Sequence, residues 1–247
     1  MSNAVYLRFG KIFFAIAIIA IGVVHLVNRD FPAGLLPIPA TVPGRAILVY
    51  ITGIALILAG LMLLIEKYTR YGAILAGIIW GVLLIVFQLP RLALDIHNPG
   101  PWTSTFENAG IFSGALFLIS DQMSGSKSSV YKLIAYYLFM LMVIVFGTQH
   151  YMYVKFIATL IPAWLPAHLF WAWLVMIAFF AAALSILMHI KVRLTATLLA
   201  IMFLLWVVIL HLPRAFGDVH VETEWTSTFV ALAMSGVSLL LARSTTE

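Results

Sequence analysis

Apolar residues run almost unbroken through this chain in stretches of about twenty, and the polar residues fall in short clusters between them. Strict alternation would mark half-buried strands and a one-sided stripe would mark surface helices; continuous apolar runs mark helices that are apolar all round. Such a run is long enough to cross a hydrocarbon core, where only helices and closed barrels satisfy their own backbone polar groups. The continuity of the runs favours helices. Eight spans are expected, at 10–28, 45–66, 70–90, 104–120, 131–151, 168–190, 193–212 and 226–243.

One polar cluster occurs twice. QLPRLALDIHNPGPWTSTF (88–106) returns as HLPRAFGDVHVETEWTSTF (211–229), with ten of nineteen positions identical and no gap. The same offset of 123 sets Pro43 and Arg45 opposite Pro166 and His168, and an offset of 125 sets His25 opposite His150 and Pro37 opposite Pro162. The fold class expected is therefore all-α: a polytopic membrane protein with eight transmembrane helices as two parallel four-helix repeats. An even number of spans per repeat makes both enter the membrane in the same sense, about a pseudo-twofold axis along its normal. The boundaries are 1–120 for the first unit, 121–130 for the polar, Ser-rich linker and 131–247 for the second.

Composition narrows the setting. The chain is 64% hydrophobic and 9% charged, against about a quarter charged in soluble domains, so its main partner is the lipid bilayer. Its formal charge of +5 belongs to helix ends and gives no reason to expect nucleic acid. With no cysteine, disulfides, thiolate metal sites and cysteine-ligated iron–sulfur clusters are excluded. Nine of the Lys and Arg residues lie on the side that holds both termini and five on the other. Excess positive charge marks the cytoplasmic side, which predicts an inner-membrane protein with both termini in the cytoplasm and the repeated motif outside. Arg8 and Lys11 before an apolar run resemble the start of a signal peptide, but the segment has a counterpart later in the chain and is read as a retained helix.

The motif supplies the candidate chemistry. Pro90 and Pro213 are expected to end or kink the third and seventh spans. Arg91 with Asp95, and Arg214 with Asp218, are i, i+4 neighbours able to pair on a short helical piece, leaving guanidinium donors for an anion or a quinone oxygen. His97 and His220 reach the aspartates only on a turned segment. Thr103 or Ser104 is expected to cap the fourth span, with Glu107 completing a capping box that Val230 does not reproduce. Trp102 and Trp225 either stack on a flat ligand or mark the interface. His25 and His150 end their spans and precede Pro-rich loops read as lids or re-entrant segments. His211 faces Gln88, so no paired metal or haem site is expected there, and no metal is assigned. Each residue also has a plain structural reading, as helix-end brace, cap or satisfied interfacial histidine.

The histidine closing the first span, the HLPR-type segment and the W-T-S-T-F helix start together resemble the DoxX-like membrane proteins, twice over, at 8–120 and 131–243. The chain departs from that pattern in fusing two units. Some members of the family are associated with a membrane-bound thiosulfate:quinone oxidoreductase. The resemblance implies a component of a quinone-linked membrane oxidoreductase, with quinone as ligand and a redox protein as partner. The expected site is His25, Arg91, Asp95, His97 and Trp102 in one unit and His150, Arg214, Asp218, His220 and Trp225 in the other, binding ligand or moving protons. Two alternatives stand beside it: a non-enzymatic small-molecule binding or transport protein, and a haem protein ligated by His25 and His150 across the axis.

Overall fold

The computed structural model describes residues 2–245, which form helices joined by short connections. Helix α1 (Asn3–Asn28) opens on Ser2, whose hydroxyl accepts from the Val5 amide, and ends at Arg29 in the left-handed region. There follow α2 (Arg45–Leu64), α3 (Thr69–Val82), α4 (Leu89–Leu94), α5 (Pro99–Asp121), α6 (Gly125–Met152), the short α7 (Val154–Leu160), α8 (His168–Met188), α9 (Val192–Trp206), α10 (Leu212–Gly217) and α11 (Glu222–Ser244). Among the described residues, seven helical stretches are long and apolar enough to cross a membrane: α1, α2, Glu66–Leu94, α6, α8, Val192–Gly217 and α11. The protein is thus all-α and of multi-pass membrane type. Helix α5 is as long as α11 but carries Thr103, Ser104, Thr105, Glu107 and Asn108, and it does not join the seven by composition.

The two prolines do not end their helices. A π-helical turn, Leu83–Gln88, joins α3 to α4, and another, Val207–His211, joins α9 to α10. Proline at Pro90 or Pro213 lacks an amide hydrogen and crowds the carbonyl four residues back; the wider turn before it absorbs both problems, and the helix continues for one more turn and a half. The last residue of each π turn is Gln88 or His211. The linker is also shorter than its composition predicts. Only 122–124 leave the helix, and Ser120 and Ser128 each donate a hydroxyl to the other's carbonyl at 2.9 Å across it. Small polar residues that break a buried helix are tolerated in the exposed first turn of α6.

Helices α5 and α11 lie at the centre, each with more than half of its residues buried. They pack on each other. Helix α1 packs on α2 and α11, while α6 packs on α5 and α8; α3 lies against α2 and α5, and α9 against α8 and α11. Between helices, close approach rests on glycine. A Cβ on Gly236 would meet the Phe14 amide nitrogen at 2.7 Å and the Gly10 carbonyl at 2.9 Å, and one on Gly22 would meet the Gly53 carbonyl at 2.6 Å. With lipid outside and side chains inside equally apolar, such contacts supply much of the association energy.

Gly236→Val forces α1 away from α11 because the obstacles are backbone atoms that cannot swing aside. Thermal unfolding in mild detergent should show a loss of about 1–3 kcal/mol. Gly217→Ala, whose added Cβ meets nothing within 4 Å, should unfold like the parent.

Candidate functional site

The repeated motif folds into the same local device twice. The Trp102 indole donates to the Ile96 carbonyl at 2.8 Å and the Trp225 indole to the Val219 carbonyl at 3.0 Å, in each case drawing the loop back onto the next helix. Asp95 caps α4 in a non-helical conformation and accepts from the Asn98 side chain, while Asp218 accepts from the His220 amide. Because α4 and α10 stop at these aspartates, the i, i+4 register is lost, and neither arginine pairs as expected. Arg214 binds Glu224 at 2.5 Å. Arg91 donates to the Ser104 hydroxyl at 3.0 Å. His97 and His220 are exposed, and the four residues Asp95, His97, Asp218 and His220 sit in the loops and not in the interior. The helix after the first loop begins at Pro99 with Asn98 as its cap, so Thr103, Ser104 and Glu107 lie inside α5 and form no capping box.

Below the first motif the interior is filled. The segment after α1 turns inward and buries Phe31, Leu35, Leu36 and Ile38. Arg45 fastens it by an ion pair to Asp30 at 2.5 Å and a bond to the Ile38 carbonyl at 3.2 Å. Gln88 clasps it from the other side: its amide donates to the Leu35 carbonyl at 2.9 Å and accepts from Ser104 at 3.0 Å, which in turn accepts from Arg91. His25 is fully buried, with Nδ1 donating to the Ile21 carbonyl and its ring against the edge of Phe31.

Below the second motif there is a cavity of about 520 Å³. Its walls are apolar and aromatic, with Phe146, Trp171, Phe179, Phe203 and Trp206 among them, and its polar groups include Thr103, Glu107, Gln149, His150, His211 and Ser227. Several of these groups are held in place. His150 donates from Nδ1 to the Phe146 carbonyl at 2.8 Å and sets its ring edge-on to Phe179. Gln149 donates to the Thr103 hydroxyl at 2.9 Å and to the Pro99 carbonyl at 3.2 Å, tying α6 to α5. Others are available: His211 Nδ1 is buried with no hydrogen-bond partner, and Glu107 has neither a hydrogen bond nor an ion pair among the described residues. An apolar chamber of this size with a few polar groups is the usual form of a small-molecule site.

Of the ten residues singled out from the sequence, His150 alone lines this cavity. His25 and His150 stand on α1 and α6, which pack on different neighbours, and His25 is sealed by Phe31; the residues present do not fit a haem held between them. The groups that the motif reading passed over are Glu107 and His211. Their signal was present as difference and not as identity: Val230 and Gln88 are their counterparts, and a carboxyl and an imidazole occur where the other copy has neither. Comparison with known protein families, with curated proteins and with solved structures finds no match for this chain.

Since Arg214 is paired with Glu224, Asp218→Asn should leave thermal stability unchanged while Arg214→Met lowers it. The pair is partly exposed, so the expected loss is about 1 kcal/mol. Equal effects of the two substitutions would reinstate the Arg214–Asp218 pair.

Proposed function

We propose that this chain is a DoxX-like membrane protein built as a fused tandem of two four-helix units, and that it binds a quinone in the cavity below its second motif, which both units line, as a component of a quinone-linked membrane oxidoreductase. The observation that carries the reading is the cavity itself, whose aromatic walls suit a flat lipophilic ring and whose Glu107, His150 and His211 suit the oxygens on that ring. Histidine Nδ1–H at His211 can donate to a quinone carbonyl, and the Glu107 carboxyl can exchange a proton with a reduced hydroxyl. Electrons come from a separate redox partner protein.

The tandem reading is supported by the neighbours of each helix. Exchanging each helix with its counterpart turns α1 on α11 into α6 on α5, α1 on α2 into α6 on α8, and α3 on α5 into α9 on α11, all of which are pairs that occur. In this reading α5 is an eighth span. Its polar residues are tolerated because it is enclosed by other helices and meets little lipid. The excess of Lys and Arg then puts both termini in the cytoplasm of an inner-membrane protein. Transport across the membrane is the weaker alternative. Deep in α5 and α11, Ser113, Ser235 and Ser238 give their hydroxyls to the carbonyls of Gly110, Ala200 and Met234, which leaves them bonded to backbone and not lining a track.

Trp171 and Trp206 line the cavity, so a short-chain quinone titrated into the purified protein should quench their fluorescence to saturation. His211→Phe should weaken that binding about tenfold by removing a hydrogen bond from a dry site while keeping an aromatic ring. Undiminished quenching in both His211→Phe and Glu107→Gln would refute quinone binding here. Mass identification of a different lipophile extracted from the purified protein would retain the cavity as a binding site and reject quinone as its ligand.

A further inference from the structure

At the opposite end of the molecule, where both termini lie, a groove of about 340 Å³ runs between α3, α5 and the start of α6. Ile74, Gly77, Ile78, Phe112 and Leu116 form its apolar floor and walls, and Arg70 and Tyr131 stand at its end. The counterparts of these residues, on α9, α11 and the start of α1, close on one another. There Arg193 lies over the Tyr6 ring at 4.9 Å, the Tyr6 hydroxyl meets the Thr197 hydroxyl at 2.8 Å, and Ser235 donates to the Ala200 carbonyl at 2.9 Å. Offsets of 123 and 125 set Arg193 against Arg70, Thr197 against Ile74, Ala200 against Gly77, Ser235 against Phe112 and Tyr6 against Tyr131. The open site has thus exchanged the hydroxyls of Thr197 and Ser235 for the apolar side chains of Ile74 and Phe112, but kept the arginine and the tyrosine. Arg70 makes no ion pair or ring contact among the described residues.

We propose that this groove binds one anionic phospholipid, with its phosphate on the Arg70 guanidinium and the Tyr131 hydroxyl and one acyl chain along Ile74, Ile78 and Phe112. A guanidinium at the end of an apolar channel matches a phosphate joined to a hydrocarbon chain in both charge and solvent preference. A free phosphate would leave the channel unfilled, and the ammonium of a zwitterionic headgroup would be placed beside the arginine. Anionic lipids are concentrated on the cytoplasmic leaflet, the side to which the excess of positive charge assigns this end. The inference does not depend on the ligand of the larger cavity.

The test is native mass spectrometry of the full chain in mild detergent with dioleoyl phosphatidylglycerol or dioleoyl phosphatidylcholine. The parent protein should retain one phosphatidylglycerol in preference to phosphatidylcholine. Arg70→Gln should lower that retention about tenfold. Gly77→Leu keeps the charge but fills the channel, since its Cβ already faces the flexible end of Ile119 at 3.1 Å, and it should lower retention likewise. Lys67→Gln, an equal loss of charge on the exposed residue three positions earlier, should retain the lipid. Equal losses in Lys67→Gln and Arg70→Gln, full retention in Gly77→Leu, or complete displacement by inorganic phosphate would each overturn the proposal.

Discussion

The contact on which this molecule depends is the approach of α1, α5 and α11 at its centre. Among apolar helices in an apolar solvent, burying a side chain gains little, and cohesion comes from how near the backbones can come. Gly10 and Gly236 bring α1 against α11, and a Cβ on Gly114 would run into Val237 at 2.6 Å and Phe14 at 2.7 Å. The central pair can then be more polar than its surroundings. Asn108, Ser113, Ser235 and Ser238 are all buried on it, where each meets protein and not lipid.

In the proposed tandem, the positions that correspond around that centre differ in opposite ways at the two ends. At the motif end, the space beside Gln88 is filled by Leu35 and Leu36, and the space beside His211 is a chamber lined from both units. At the terminus end, α9 is closed against α1 by Tyr6, Thr197 and Arg193, and a groove remains between α3 and the start of α6. Each void is opened by exchanging a few side chains in a shared frame.

The sequence displayed the frame well and the site poorly, for physical reasons. Long apolar runs located the helices, since hydrophobic length is a direct requirement of the bilayer, but missed the polar first turns of α1, α5 and α6, which begin at Asn3, Pro99 and Gly125 and not at 10, 104 and 131. Pro90 and Pro213 are expected to end or kink their spans; the missing amide is answered by a π turn in place of a break, and a short helical piece follows each. Identity between the copies drew attention to Asp95, Trp102 and the residues matching them, and those turn out to brace loops. Bracing is needed in both halves, so it is what repetition preserves. A ligand-facing group needed in one half only leaves no echo in the other, and Glu107 was accordingly read as a helix cap.

The placement of His211 opposite Gln88 has one more consequence. In an assembly of two identical subunits, any residue that equips one chamber also equips the other, and any residue that fills one fills both. Here the imidazole and the clasping amide occupy matching corners of a single polypeptide, so one corner can stay tightly filled and stabilise the fold while the other stays hollow. In the proposed tandem, joining the halves covalently would separate the demands of stability from those of recognition, which symmetry would otherwise impose on the same residue.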